Sequence, residues 1–285
     1  MGQELAYAHE HGIAYWAFVT YPLNASLSYG LERYLAHPDR SLVNMSLIIE
    51  GGRLDTGQIP ADRVVSYFQL PCYQTVAGGR PLLYVMTPTA ATKPAIDGIK
   101  ALAAARGLPD VYLVLLLWGS VASQAQLARQ LGADAVSQYV YIAGDWAAQP
   151  GTGLPYAQNA AAEQAYWQQA AAQDVAVVPP VTAGWDPRPR EIYPVPWKQS
   201  FPPHCSETSL CWVQDPTMAE LEAQVRAARQ FVAANSSAAP ANTILISAWW
   251  VREKQKPKNK KKKKKARAGG GGRQRISRGG RTRKK

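Results

Sequence analysis

Carboxylates and aromatic rings recur where apolar runs of this chain end. Glu50 follows MSLII, Asp145 and Trp146 follow a run holding Tyr139 and Tyr141, and Trp185, Asp186, Arg188 and Arg190 follow AVVPPVTAG. Tyr21 closes AYWAFVTY, which also contains Trp16; Trp118 closes VYLVLLLW, and Trp249 and Trp250 close TILISAWW. Carboxylates held near a reacting bond can donate or accept protons or attack directly. Flat rings with polar edges suit a ligand that has apolar C–H faces and many hydroxyls, which is a carbohydrate. The set expected to touch such a glycan or oligosaccharide is Trp16, Tyr21, Glu50, Trp118, Tyr139, Tyr141, Trp185, Asp186, Arg188 and Trp249, with no catalytic role assigned to any of them. Each ring has a plainer alternative, filling a core, and Asp186 with Arg188 has one too, a structural ion pair beneath a loop. His9, His11, His37 and His204 are dispersed without ligand-like spacing, so neither a metal nor a cofactor is expected.

These residues need a scaffold that gathers strand ends. Apolar runs of strand length read as strands over 14–21, 45–49, 82–86, 111–118, 135–141, 176–182 and 243–249. Most are nearly continuous apolar runs, as in parallel strands buried on both faces. Helical spacing fills the intervals at 3–11, 26–36, 61–69, 95–106, 121–131, 156–172 and 217–235. The last is the clearest: Leu221, Val225, Ala228 and Val232 share a stripe, and Thr217 with Glu220 forms a capping box after Pro216. Strand alternating with helix specifies an α/β fold with a parallel sheet. No Gly-rich phosphate turn follows the first strand, and adding one strand in front and one helix behind makes eight of each. The expectation is therefore an incomplete (β/α)8 TIM barrel of about seven strands, its site at the carboxyl ends.

The chain divides by charge. Its 285 residues carry a formal +12, but residues 251–285 hold 18 basic residues and one acid, Glu253, for +17; residues 1–250 hold 14 basic and 19 acidic, for −5. A domain that grips nucleic acid needs Lys and Arg over its own surface, which residues 1–250 lack in excess. Nucleic acid is thus a partner only if the Lys/Arg/Gly-rich tail is a genuine disordered arm. The other reading is intron read-through, since Val251-Arg252-Glu253 can be encoded by GTG AGG GAG. The expected domains are a carbohydrate-active barrel at 1–250 and the basic tail at 251–285. No run of 18 apolar residues occurs and the opening residues have no leader pattern, so no membrane partner is expected and the compartment stays open. Cys72, Cys205 and Cys211 are too few for a disulfide scaffold; Cys205 and Cys211 can pair in an oxidising compartment or stay as free thiols.

The segment VAVVPPVTAGWDPRPR, the later NTILISAWW and the opening ELAYAHEHGIAYWAFVTYP together resemble the glycoside hydrolase family 99-like, or WbsX-type, proteins. The resemblance spans residues 3–249, with Gly184-Trp185-Asp186 followed by Arg188 and Arg190 its most specific part. It implies an endo-mannosidase-like hydrolase or a related sugar transferase acting on glycosidic bonds through two opposed carboxylates. Family members continue the last strand as Ala-Trp-Asn-Glu; this chain reads Ala248-Trp249-Trp250-Val251-Arg252-Glu253. The expected acids are missing there, so the chain as written is expected to lack the catalytic pair. The alternative from another class is a glycan-binding barrel without activity.

Overall fold

The computed structural model describes residues 1–143, 153–186 and 212–249, all within the compact unit Met1–Val251. Arg188, Arg190, Asp145, Trp146, Cys205, Cys211 and the basic tail lie outside the described residues. Seven strands run parallel: β1 (Tyr15–Val19), β2 (Asn44–Glu50), β4 (Arg80–Met86), β5 (Tyr112–Leu116), β6 (Ala135–Ser137), β7 (Pro180–Trp185) and β8 (Leu245–Trp249). A two-residue strand, β3 (Thr75–Val76), turns back on β4 as an antiparallel hairpin that the sequence reading does not include. The order β1-β2-β4-β5-β6 is continuous, and β7 pairs with β8. The two sets meet where Val136 bridges Val177 and Val178 donates its N–H to the Val136 carbonyl at 3.0 Å.

Helices alternate with the strands: α1 (Gly2–Glu10), α2 (Tyr29–Leu35), α3 (Gly51–Asp55), α4 (Ala61–Phe68), α5 (Lys93–Ala105), α6 (Val121–Leu131), α7 (Tyr156–Ala172) and α8 (Met218–Ala234). Their ends carry local signals. Ser120 caps α6 and left-handed Gly132 stops it; Thr217 and Glu220 cap α8 reciprocally, with Thr217 N–H to Glu220 Oε2 at 2.8 Å. This is the α/β architecture expected from the sequence, a parallel sheet wrapped by helices, which the described residues leave unclosed between β1 and β8.

Strand period decides which side chains enter the barrel. Ile48, Tyr84, Val114 and Ala135 face inward as one cluster, while Met45, Leu47, Ile49 and Val136 face the helices as another. On β1 the same parity sends Tyr15, Ala17 and Val19 inward and Trp16 and Phe18 outward. Deep in the barrel, Tyr15 and Tyr84 share a hydroxyl hydrogen bond of 2.7 Å.

Gly51 stands where β2 hands over to α3, pressed against the end of β4. A Cβ there would sit 2.7 Å from Pro88 Cα, whereas one on Gly52 meets open space. Gly51→Ala is expected to cost about 1–3 kcal/mol through overpacking. Gly52→Ala should be neutral or slightly stabilising. Urea denaturation of the two variants checks the contrast, and equal midpoints would contradict it.

Candidate functional site

The carboxyl ends of the parallel strands gather Tyr21, Glu50, Trp118, Tyr139, Trp185 and Asp186 at one end of the barrel. The best-formed group lies over β1 and β2. Arg53 Nε is 2.8 Å from Glu50 Oε2, and the guanidinium carbon lies 4.9 Å from the centre of the Tyr21 ring. Arg63 holds the Tyr21 carbonyl with a 2.7 Å bond from Nη1. Burial raises the Tyr21 hydroxyl above its ordinary pKa, Glu50 adds to this, and Arg53 offsets part of it. Tyr21 is therefore a neutral hydroxyl at physiological pH, able to donate and accept. Ring, guanidinium and carboxylate together make a polar edge suited to sugar hydroxyls.

Trp118 leaves β5 with 46% of its surface exposed, an unusual state for so large an apolar ring. Gly119 follows in the left-handed region at φ 95°, and Ser120 starts α6, so the chain turns directly behind the ring. Tyr139 packs on the interior cluster just past the end of β6.

The strand expected over 176–182 runs further, into the Gly184-Trp185-Asp186 segment. β7 continues through Trp185, and the glycine, at φ 108°, sits at a register shift between Thr182 and Trp185. This φ belongs to glycine, so the kink that sets Trp185 and Asp186 at the rim is encoded in the sequence. Trp185 is half-buried against Leu154, Tyr156 and Val213, its carbonyl accepting the Val213 N–H at 2.8 Å, and Asp186 is buried. Asp215, absent from the sequence-derived set, is exposed next to this kink, its Oδ1 3.8 Å from where a Cβ of Gly184 would lie.

Two expected members lie elsewhere. Trp16 packs outward, its ring centroid 6.1 Å from those of Phe18 and Tyr34, because even-numbered positions of β1 face the helices. Tyr141 also leans on the helix layer, 5.7 Å from Tyr166. The strand predicted over 135–141 ends at Ser137, so its parity does not extend to Tyr141. Trp249 pairs in register with Trp185.

Beyond the Val136–Val177 bridge, β6 and β7 are joined by a pair of α7 side chains. Asn159 accepts the Ala143 N–H at 2.9 Å and donates to the Tyr141 carbonyl at 3.2 Å, in place of a neighbouring strand. Four residues on, fully buried Glu163 accepts the Thr182 N–H at 3.1 Å, the Thr182 hydroxyl at 2.9 Å and Gln224 Nε2 at 2.7 Å. The Thr182 hydroxyl in turn accepts the Tyr141 N–H at 2.8 Å. Burial outweighs these donors and pushes the Glu163 carboxyl up to about 8. In sequence, Glu163 stands alone in the run AAAEQAYW, and the only sign of its role is an acid on the sheet-facing side of a helix. Among the described residues there is no group of three or more His, Cys, Asp or Glu able to hold a metal, and no helix long and apolar enough to cross a membrane.

No protein-family model and no curated protein sequence matches the chain. Solved structures do. The GH99 endo-alpha-mannosidase of Bacteroides thetaiotaomicron, in complex with BIS-TRIS-Propane, superposes with a TM-score of 0.52 at 18% identity over 86% of this chain and 68% of its own. A second structure of the GH99 endo-alpha-mannosidase from the same organism gives a TM-score of 0.50 at 16% identity, over 86% of this chain and 65% of the other. The chain thus spans about two thirds of the length of these enzymes and has a glycoside-hydrolase-like fold of the GH99 type.

Proposed function

We propose that the barrel recognises a glycan at the carboxyl ends of its strands, with α-mannosides as the ligand class, and that it binds without cleaving. The observation that carries this reading is the half-exposed Trp118 ring at the same barrel end as the Tyr21–Arg53–Glu50 group. Such a pairing suits a sugar, with a flat apolar face for C–H groups and a charged edge for hydroxyls. The GH99 likeness supports the ligand class, because those neighbours are endo-alpha-mannosidases. Glu50 is engaged by Arg53, and the residues after Trp249 do not supply the acids of the family pattern, which favours binding over hydrolysis. A WbsX-type relationship is the finer family reading, resting on the Gly184-Trp185-Asp186 motif.

Calorimetric titration of the full chain with an α-linked mannose oligosaccharide tests this directly. Saturable binding is expected, with no reducing sugar released on long incubation. Trp118→Ala should weaken binding by about tenfold, equivalent to about 1.4 kcal/mol. Its melting temperature should change little, because the ring is half outside the core. Absence of binding would sink the proposal, and release of sugar would overturn its non-hydrolytic part.

A further inference from the structure

The charges around Tyr21 do not balance. Arg53 on α3 faces Glu50, whose Oε2 stands 2.8 Å from its Nε as an ion contact without hydrogen-bond alignment. Arg106, at the end of α5, pairs with Asp62 on α4. Arg63, the next residue of α4, is half-buried like these two arginines, yet its partners among the described residues are all neutral. Its Nη1 donates to the Tyr21 carbonyl at 2.7 Å and its Nε to the Tyr67 hydroxyl at 3.3 Å, with the guanidinium carbon 5.7 Å from the centre of the Tyr67 ring. Asp55, exposed two positions after Arg53, does not share its helix face. Glu50, Arg53 and Arg63 therefore carry one positive charge in excess.

Local structure does not account for that charge. Arg63 lies in the first turn of α4, where the helix dipole disfavours a cation. Holding the Tyr21 carbonyl needs a donor, not a charge. Both guanidinium groups also have donors to spare. Arg63 uses one N–H on Nε and one on Nη1, and its Nη2 has no partner among the described residues. In Arg53, Nε faces Glu50 and Nη1 reaches Gln58 Oε1 at 3.4 Å, which leaves Nη2 free there too. A carboxylate is held best by two parallel donors of one guanidinium, and neither arginine presents such a fork. A phosphate group spreads three acceptor oxygens and can take single donors from two directions.

We propose that the Tyr21–Arg53–Arg63 group selects a phosphorylated α-mannoside, whose phosphate accepts from Arg63 and Arg53 while its sugar meets Trp118. This rests on the reading of the mouth as a glycan site and adds the charge of the ligand. Arg63 is then a specificity-determining residue. Repulsion from Glu50 is limited, because Arg53 already neutralises that carboxylate. Since both arginines are partly exposed, the attraction is screened by salt.

Calorimetric titrations of the full chain with an α-linked mannobiose, its 6-phosphate, the corresponding uronic acid and inorganic phosphate provide the test, at neutral pH where the phosphate is mostly a dianion. The phosphorylated disaccharide should bind about tenfold more tightly than the neutral one, or better, and the gap should shrink at high salt. Arg63→Gln should bring the two affinities within about twofold of each other. Arg63→Lys, which keeps the charge, should retain a salt-sensitive part of the preference. Equal affinities for the two disaccharides in the parent chain would overturn this inference and leave the glycan reading standing, whereas binding of neither would overturn both. A preference that survives Arg63→Gln, a uronic acid bound as tightly as the phosphorylated sugar, or inorganic phosphate bound as tightly as either would also overturn it.

Discussion

Glu163→Ala is expected to remove about 3–5 kcal/mol of folding stability, enough to unfold a marginal domain. The substitution leaves the Thr182 N–H, the Thr182 hydroxyl and the Gln224 amide without their acceptor in a dry interior, and opens a cavity beside them. Each stranded donor costs about 1–3 kcal/mol, partly relieved if water enters. Glu163→Gln should cost less, because its amide oxygen still takes the Thr182 pair while Gln224 turns its own oxygen inward. Urea denaturation at pH 5 measures both, and an Ala variant within 1 kcal/mol of the parent would mean that the seam is held elsewhere.

The same residue gives the protein a pH signature. With its carboxyl pushed up to about 8 from an ordinary 4.5, Glu163 favours the folded state most below about pH 4.5. That contribution is lost progressively as the pH rises from about 4.5 to about 8, a range in which the unfolded chain releases this proton and the buried group keeps it. The loss is at most on the order of 4–5 kcal/mol. In Glu163→Gln this slope should vanish, so the stability difference between the variant and the parent narrows or reverses at alkaline pH. Parallel curves across pH 5–9 would contradict the assignment.

Trp167→Ala is the second large effect, expected at about 3–5 kcal/mol. This ring is almost completely buried between α7 and α8, 5.9 Å from Phe231. Trp167→Phe should be far milder than its loss of volume suggests. The indole Nε1–H meets no acceptor among the described residues, so phenylalanine removes an unsatisfied donor while opening a smaller cavity. Thermal melts of the pair discriminate: a Phe variant as damaged as the Ala variant would show that the indole edge matters after all.

The sequence carries most of the scaffold. α6 and α7 lie over the residues that periodicity assigns, and the α8 capping box is where Thr217 and Glu220 put it, because helix faces and caps are local. Side-chain parity on the strands is less accessible. AYWAFVTY is apolar on both faces, so nothing in it says that Trp16 looks at Tyr34 and not at the ligand end. β6 reads too long for a related reason: Gln138–Tyr141 has strand composition, but its partners are the side chains of Asn159 and, through Thr182, Glu163, which no local pattern announces. The mouth is legible in outline, since Tyr21, Glu50 and Trp118 lie at strand ends; Arg53, which organises the first two, comes from the unpredicted helix α3.

The two ways in which β7 and β8 are bordered have a consequence for cooperativity. Among the described residues one border is open at β1, and the other is fastened through one bridge and a few side chains of α7. Elsewhere the sheet is a continuous ladder from β1 to β6. The block of α7, β7, α8 and β8, in which the two strands are parallel, is therefore expected to open at lower cost than the ladder, with native-state amide exchange as the measurement that checks it. Because Trp185 and Asp186 ride on that block while Tyr21, Glu50 and Trp118 ride on the ladder, the two halves of the strand-end rim are expected to have unequal lifetimes. Whatever ligand bridges them also acts as the clasp that makes the barrel unfold as one.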